Sequence, residues 1–114
     1  MIDIKIEKDK KLITLSALGH ASYASYGSDI VCAGVSGIIM GLCASLDSSR
    51  TESLIASGKA IVRARNNQKA RYMFHFAERR LVLLPQSIRG ASDYLYTTIR
   101  QKRKYFIESE ALCL

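Results

Sequence analysis

Ile2, Ile4 and Ile6 alternate with Asp3, Lys5 and Glu7, and that period of two predicts a half-buried strand over residues 1–8. Asp9-Lys10-Lys11 supplies a turn. Residues 12–18 then alternate again, with Ile13, Leu15 and Ala17 on the face opposite Leu12, Thr14, Ser16 and Leu18. The two segments read as a hairpin. Beyond them the period changes. Val31, Val35, Ile38, Leu42 and Leu46 recur at helical spacing behind Ser28, a good N-cap, and Asp29, which suits the positive end of a helix dipole. Gly34, Gly37 and Gly41 fall on another face of that helix. Each costs about 1 kcal/mol relative to alanine in a helix interior, which points to a close approach by another element.

Residues 51–58 carry no clear period. Residues 59–65 and 71–77 both alternate, which puts Ala60, Val62, Ala64, Tyr72, Phe74 and Phe76 inward on two strands joined by Asn66-Asn67-Gln68. Residues 81–84 suit either strand or helix. A second helix is expected from near Pro85 to Tyr105, because proline favours a first turn, with Ile88, Ala91, Leu95 and Ile99 as its apolar stripe. Residues 106–114 would add an edge strand. The sum is an α+β fold, a largely antiparallel sheet of about four to six strands with two main helices, in a single domain over residues 1–114.

Composition narrows the class. At 114 residues and 48% hydrophobic, the chain suits one core. No apolar run reaches the length of a membrane span, and Met1-Ile2-Asp3-Ile4-Lys5 lacks the apolar centre of a signal peptide. These features lead us to expect a cytoplasmic protein without membrane contact. Cys32, Cys43 and Cys113 are odd in number and widely spaced, with no CxxC pair, so neither a disulfide framework nor a metal knuckle is expected, and no cofactor is implied. The net charge is +7 and the basic residues gather late, from Arg63, Arg65, Lys69, Arg71, Arg79 and Arg80 to Arg100, Lys102, Arg103 and Lys104. Such a cluster is either a solvated face or an RNA-facing surface.

The chemistry concentrates between Gly19 and Ser36. His20 follows the second strand, and Cys32 falls in the first turn of the expected helix. A thiol attacks carbon as its thiolate, which a helix N-terminus and a nearby imidazolium both favour. Cys32 and His20 are therefore candidates for nucleophile and acid/base, against the alternative that Cys32 is a small packing residue. Asp29 would either orient His20 as a third member or serve the helix dipole. Ser36, one turn beyond Cys32, would shape the site or bond the carbonyl four residues back. Gly19 and Gly27 bound the loop, and Tyr23 and Tyr26 are its large residues, candidates to line a substrate pocket together with Gly27. His75 is read as facing solvent, opposite Phe74 and Phe76, and Cys43 as a structural packing residue.

Gly19-His20-Ala21, followed by Gly27-Ser28-Asp29-Ile30-Val31-Cys32-Ala33-Gly34-Val35-Ser36, resembles the signature of the ribosomal-processing cysteine protease family, Prp. The resemblance implies that Cys32 is the nucleophile and His20 the general base, with Gly19, Asp29 and Ser36 at the other motif positions. It implies removal of an N-terminal extension from a large-subunit ribosomal protein (the twenty-seventh in that series), with cleavage before a small residue. It also implies a homodimer and a mobile His-bearing loop. Gly34 and Gly37 in the first helix, and the basic run from Arg100 to Lys104, depart from the family's pattern. A +7 enzyme gains no long-range attraction to a basic ribosomal protein, so recognition would rest on apolar pockets, and the basic face would make at most a weak contact with ribosomal RNA. The rival reading is a non-catalytic basic protein associated with the ribosome or RNA.

Overall fold

The computed structural model describes residues 1–25, 27–88 and, for backbone only, 95–101. The first two elements are strands β1 (Ile2–Lys8) and β2 (Leu12–Leu18), paired antiparallel. Asp9 makes their turn: its Oδ1 accepts from the Lys11 and Leu12 amides, both at 2.8 Å. Helix α1 (Ile30–Ser45) follows, then a short 3₁₀ turn (Ser48–Arg50). Next come β3 (Thr51–Ala56) and β4 (Lys59–Arg65), helix α2 (Gln68–Ser87) and strand β5 (Leu95–Gln101).

The strands form one sheet in the order β3-β4-β2-β1-β5. Every pairing is antiparallel except that of β1 with β5, which is parallel. Both helices pack on one face. Ile2, Ile4, Ile6, Ile13, Leu15, Val62 and Ala64 from the sheet meet Val31, Val35, Ile39 and Leu42 from α1, and Ala70, Phe74, Ala77 and Leu81 from α2. The α+β class and the N-terminal hairpin are as expected from the alternation. Within α1 the core stripe includes Ile39, with Ile38 only partly buried.

Three expectations need correcting. Residues 71–77 are helical, not a strand: α2 buries Ala70, Phe74, Ala77 and Leu81, a period of three and four. That period puts Tyr72 and Phe76 together on the outer face rather than beside Phe74. Asn66-Asn67 is no hairpin turn. The Asn67 side chain caps α2 by accepting from the Ala70 amide at 2.8 Å, and the Asn66 side chain ties the helix start to β1–β2 through the Asp9 carbonyl at 2.7 Å. The second helix therefore lies earlier than expected. Pro85 sits inside its last turn, where the missing N–H weakens the ladder and the helix stops two residues later. Residues 95–101, expected as helix, pair with β1 from Ile2↔Leu95 to Lys8↔Gln101. Thr97, Thr98 and Ile99 are β-branched and suit that edge. The expectations for Ala91, for the strand over 106–114 and for the basic run 102–104 lie outside the described residues, as do Tyr26 and Cys113.

The glycines of α1 separate into two kinds. A Cβ on Gly34 would stand 2.9 Å from Leu84 Cδ1, so α2 does approach closely there, whereas Gly37 and Gly41 have nothing within 4 Å. Because only the tip of a leucine opposes it, Gly34→Ala should change stability by less than about 1 kcal/mol, its helix propensity offsetting the shift of Leu84. Gly34→Leu should wedge the helices apart and cost about 1–3 kcal/mol, as urea denaturation would measure. Equal stability of Gly34→Leu and the parent would contradict this packing.

Candidate active site

The site lies where β2, the N-terminus of α1 and the β3–β4 turn converge. Gly19 ends β2 with φ +97°, a conformation that favours glycine. Its amide donates to the Gly58 carbonyl at 2.8 Å, and a Cβ there would lie 2.5 Å from the Met1 carbonyl oxygen. His20 follows directly. Its carbonyl accepts from the Met1 ammonium at 2.7 Å. Its imidazole rests on the β3–β4 turn, with Nε2 only 2.7 Å from where a Gly58 Cβ would stand. Gly58, at φ +70°, thus provides both the turn and the floor beneath the imidazole.

Asp29, not Ser28, is the N-cap of α1. One carboxylate oxygen accepts from the Val31 and Cys32 amides, both at 3.0 Å. The other accepts from the Tyr23 and Ala24 amides, at 2.8 and 3.2 Å. A single side chain therefore closes the helix and fastens the His20 loop to it. Desolvation works against its charge. The four amide donors, Cys32 first and then Ala24, Tyr23 and Val31, outweigh this and hold the Asp29 carboxyl below the usual 3.8. With its oxygens so engaged, Asp29 acts as cap and clasp, which is the helix-end alternative of the two the sequence left open, and no bond to His20 is among those it makes.

The cap puts Cys32 in the first turn of α1, half-buried against the core. The Ala21 amide donates to its sulfur at 3.4 Å, so the residue after His20 already touches the thiol. His20 and Cys32 both open into one cavity of about 830 Å³, which Gly19, Gly27, Asp29 and Ser36 also line. Among the described residues the imidazole and the thiol do not hydrogen-bond each other. Ser36 is exposed on the next turn of α1, beside the cavity. Tyr23 packs half-buried against the core instead of lining the cavity, and its amide donates to Asp29. Burial pushes the Cys43 thiol up, which keeps it protonated and matches its structural reading.

The sequence reading left out the far wall. Val35, Ile39 and Met40 of α1 face Ile55 and Ala60 of the β3–β4 hairpin across the cavity. Ser57-Gly58 ahead of the alternating segment 59–65 was the available signal, a two-residue hairpin turn. Among the described residues, no cluster of three or more metal-ligating side chains exists, and no helix is long and apolar enough to cross a membrane.

A capped helix carrying a cysteine, a glycine-bounded histidine loop and a shared cleft are the parts of a thiol-based hydrolytic site. A sequence model of the family described as cysteine protease Prp matches residues 1–91, and the chain belongs to that family. Over 38 residues it is 40% identical to the ribosomal processing cysteine protease Prp of Bacillus subtilis (strain 168), a stretch covering 33% of this chain and 34% of that protein. The aligned stretch thus spans about a third of the length of that relative. The fold is similar to the crystal structure of an essential ribosomal processing protease Prp from S. aureus with a covalently linked product peptide. That match has a TM-score of 0.75 at 24% identity and covers 88% of this chain and 100% of that one. The same S. aureus protease with a substrate peptide gives a TM-score of 0.64 at 22% identity, over 90% and 100% of the two chains.

The Asp29 clasp predicts a signed pH dependence. Because its folded pKa lies below the unfolded 3.8, its stabilisation is complete above that value and is lost as pH falls through the folded value. Asp29→Ala should cost about 2 kcal/mol at neutral pH. The gap between parent and variant should close below pH 3.8, as denaturation at a series of pH values would show. A gap that widens on acidification would contradict it.

Proposed function

We propose that this chain is a cysteine endopeptidase that removes the N-terminal extension of a large-subunit ribosomal protein. The observation that carries the proposal is the opening of His20 and Cys32 into one cleft at the start of an Asp-capped helix. The Cys32 thiolate attacks the scissile carbonyl carbon, forming a C–S bond and a tetrahedral intermediate. Collapse breaks the C–N bond, and the His20 imidazolium delivers its proton to the departing amine. Neutral His20 then takes a proton from water, whose oxygen attacks the thioester and frees the acid and the thiol.

Closure of the loop between Gly19 and Gly27, both at positive φ, brings the imidazole from its rest on Gly58 to the sulfur when substrate fills the cleft. Asp29 is a positioning residue that holds both ends of this arrangement. Ser36 and the backbone around Gly27 border the path of the substrate chain. The apolar wall of Val35, Ile39, Met40 and Ile55 suits the apolar end of an extension better than any charged partner. The same reading includes a homodimer. The outer face of α1 away from the cleft, with Ile30, Gly37 and Gly41 exposed and uncharged, suits a second copy. A cytoplasmic location follows from a ribosomal substrate.

Incubating the protein with a peptide spanning the extension and following products by mass spectrometry tests the proposal. The parent should cleave before a small residue. Cys32→Ala and His20→Ala should each lose roughly a thousandfold or more in rate, and Cys32→Ser should be nearly inactive because a hydroxyl is much harder to deprotonate. Cleavage by Cys32→Ala at the parent's rate would reject the proposal.

A further inference from the structure

Helix α2 turns an unusual face outward. Tyr72 and Phe76 stand one turn apart and are 62% and 65% exposed, and Leu83 continues the stripe at 41%. Two large rings at i and i+4 are neighbours on the helix surface and together make an exposed aromatic patch. The flanking charges are of one sign. The helix carries Lys69, Arg71, Arg79 and Arg80 against the single carboxylate of Glu78, and Glu78 is buried at 5% exposure on the far side. The Arg80 guanidinium carbon lies 5.9 Å from the centre of the Phe76 ring, so cation and ring already share one surface. The remaining neighbours of the stripe are polar or cationic. The Gln68 side chain donates to the Tyr72 hydroxyl at 3.2 Å, Arg71 donates to the Asn66 side chain at 2.9 Å, and Lys69 lies close enough to Asp47 to favour its ionised form.

We infer that this face of α2 binds single-stranded RNA. Exposed aromatic rings between cations are what an unpaired nucleic acid needs, because bases stack on rings while guanidinium and ammonium groups follow the phosphates. A purely acidic peptide would use the cations and leave the rings idle. An apolar partner would use the rings and leave four cations to be desolvated. The polyanion satisfies both halves of the surface. The face is separate from the cleft: none of Tyr72, Phe76, Arg79 and Arg80 lines it. The choice of RNA over DNA rests on the proposed ribosomal function, while the binding chemistry does not. Docking there would hold the enzyme on an assembling particle despite the like charge of its protein substrate.

The test is fluorescence anisotropy of a labelled, unstructured RNA oligonucleotide with the full chain, across a series of salt concentrations. Binding should weaken steeply with salt. Tyr72→Leu with Phe76→Leu keeps the surface apolar but removes the stacking, and should weaken binding by roughly tenfold per ring. Arg79→Ala with Arg80→Ala should reduce the salt slope by about 1.4, near 0.7 per lost phosphate contact. Both variants should cleave the extension peptide like the parent, and Cys32→Ala should bind RNA like the parent, so failure of binding and failure of the peptidase are separately visible. Circular dichroism confirms that the exposed substitutions leave the fold intact. Leucine variants that bind as tightly as the parent overturn the inference, as does absence of binding at low salt. Equal affinity for the matching DNA strand overturns the choice of RNA. Displacement of RNA by an equimolar acidic peptide would assign the face to a protein partner instead.

Discussion

One carboxylate holds the site together. Asp29 accepts two amides from the first turn of α1 and two from the His20 loop, and those bonds make one unit of two segments that otherwise share few. Within the connection between β2 and α1, the Ser28 amide donates to the Ser25 carbonyl at 2.9 Å and adds a further local tie. The charge matters because hydrogen bonds to an ionised acceptor are stronger than neutral ones, and the open end of a helix presents donors that want an anion. Once Asp29 begins the helix, Cys32 is fixed in the first turn and Ala21 is drawn to its sulfur. The histidine that precedes Ala21 then has little choice but to open on the same cleft.

Close backbone approaches supply the rest of the geometry. Gly19 lets the end of β2 pass against Met1, and Gly58 lets the β3–β4 turn come up beneath the imidazole. Gly34 lets α2 settle on α1 through Leu84. The cleft is the space left between α1 and the β3–β4 hairpin, lined by His20 and Cys32 and by the apolar side chains of Ile39, Met40 and Ile55.

Much of this was legible in the order of residues, and the failures have physical causes. Ile2, Ile4 and Ile6 against Ile13, Leu15 and Ala17 announced a hairpin because one face of that hairpin is buried and the other is not. The α2 segment misled because Tyr72, Phe74 and Phe76 alternate, and a short alternation cannot be told from a helix when two of the three aromatic residues face outward. The capping role of Asn67 was equally open to reading as a turn, since the same side-chain bond serves both. Residues 95–101 carry a helical stripe but are taken by the free edge of β1, a tertiary preference that no local pattern contains. Within the site, His20, Cys32 and Asp29 were visible as letters. The dependence on Gly58 was not, because it lies on a hairpin brought beside His20 only by the sheet order.

Whether Asp29 binds loop and helix as one unit is measured most directly by amide hydrogen exchange on the parent and on Asp29→Asn. The Tyr23, Ala24, Val31 and Cys32 amides should all lose protection together in the variant, while those of the β1–β2 ladder stay unchanged. Loss confined to Val31 and Cys32, with Tyr23 and Ala24 as protected as before, would show a helix cap alone and contradict it.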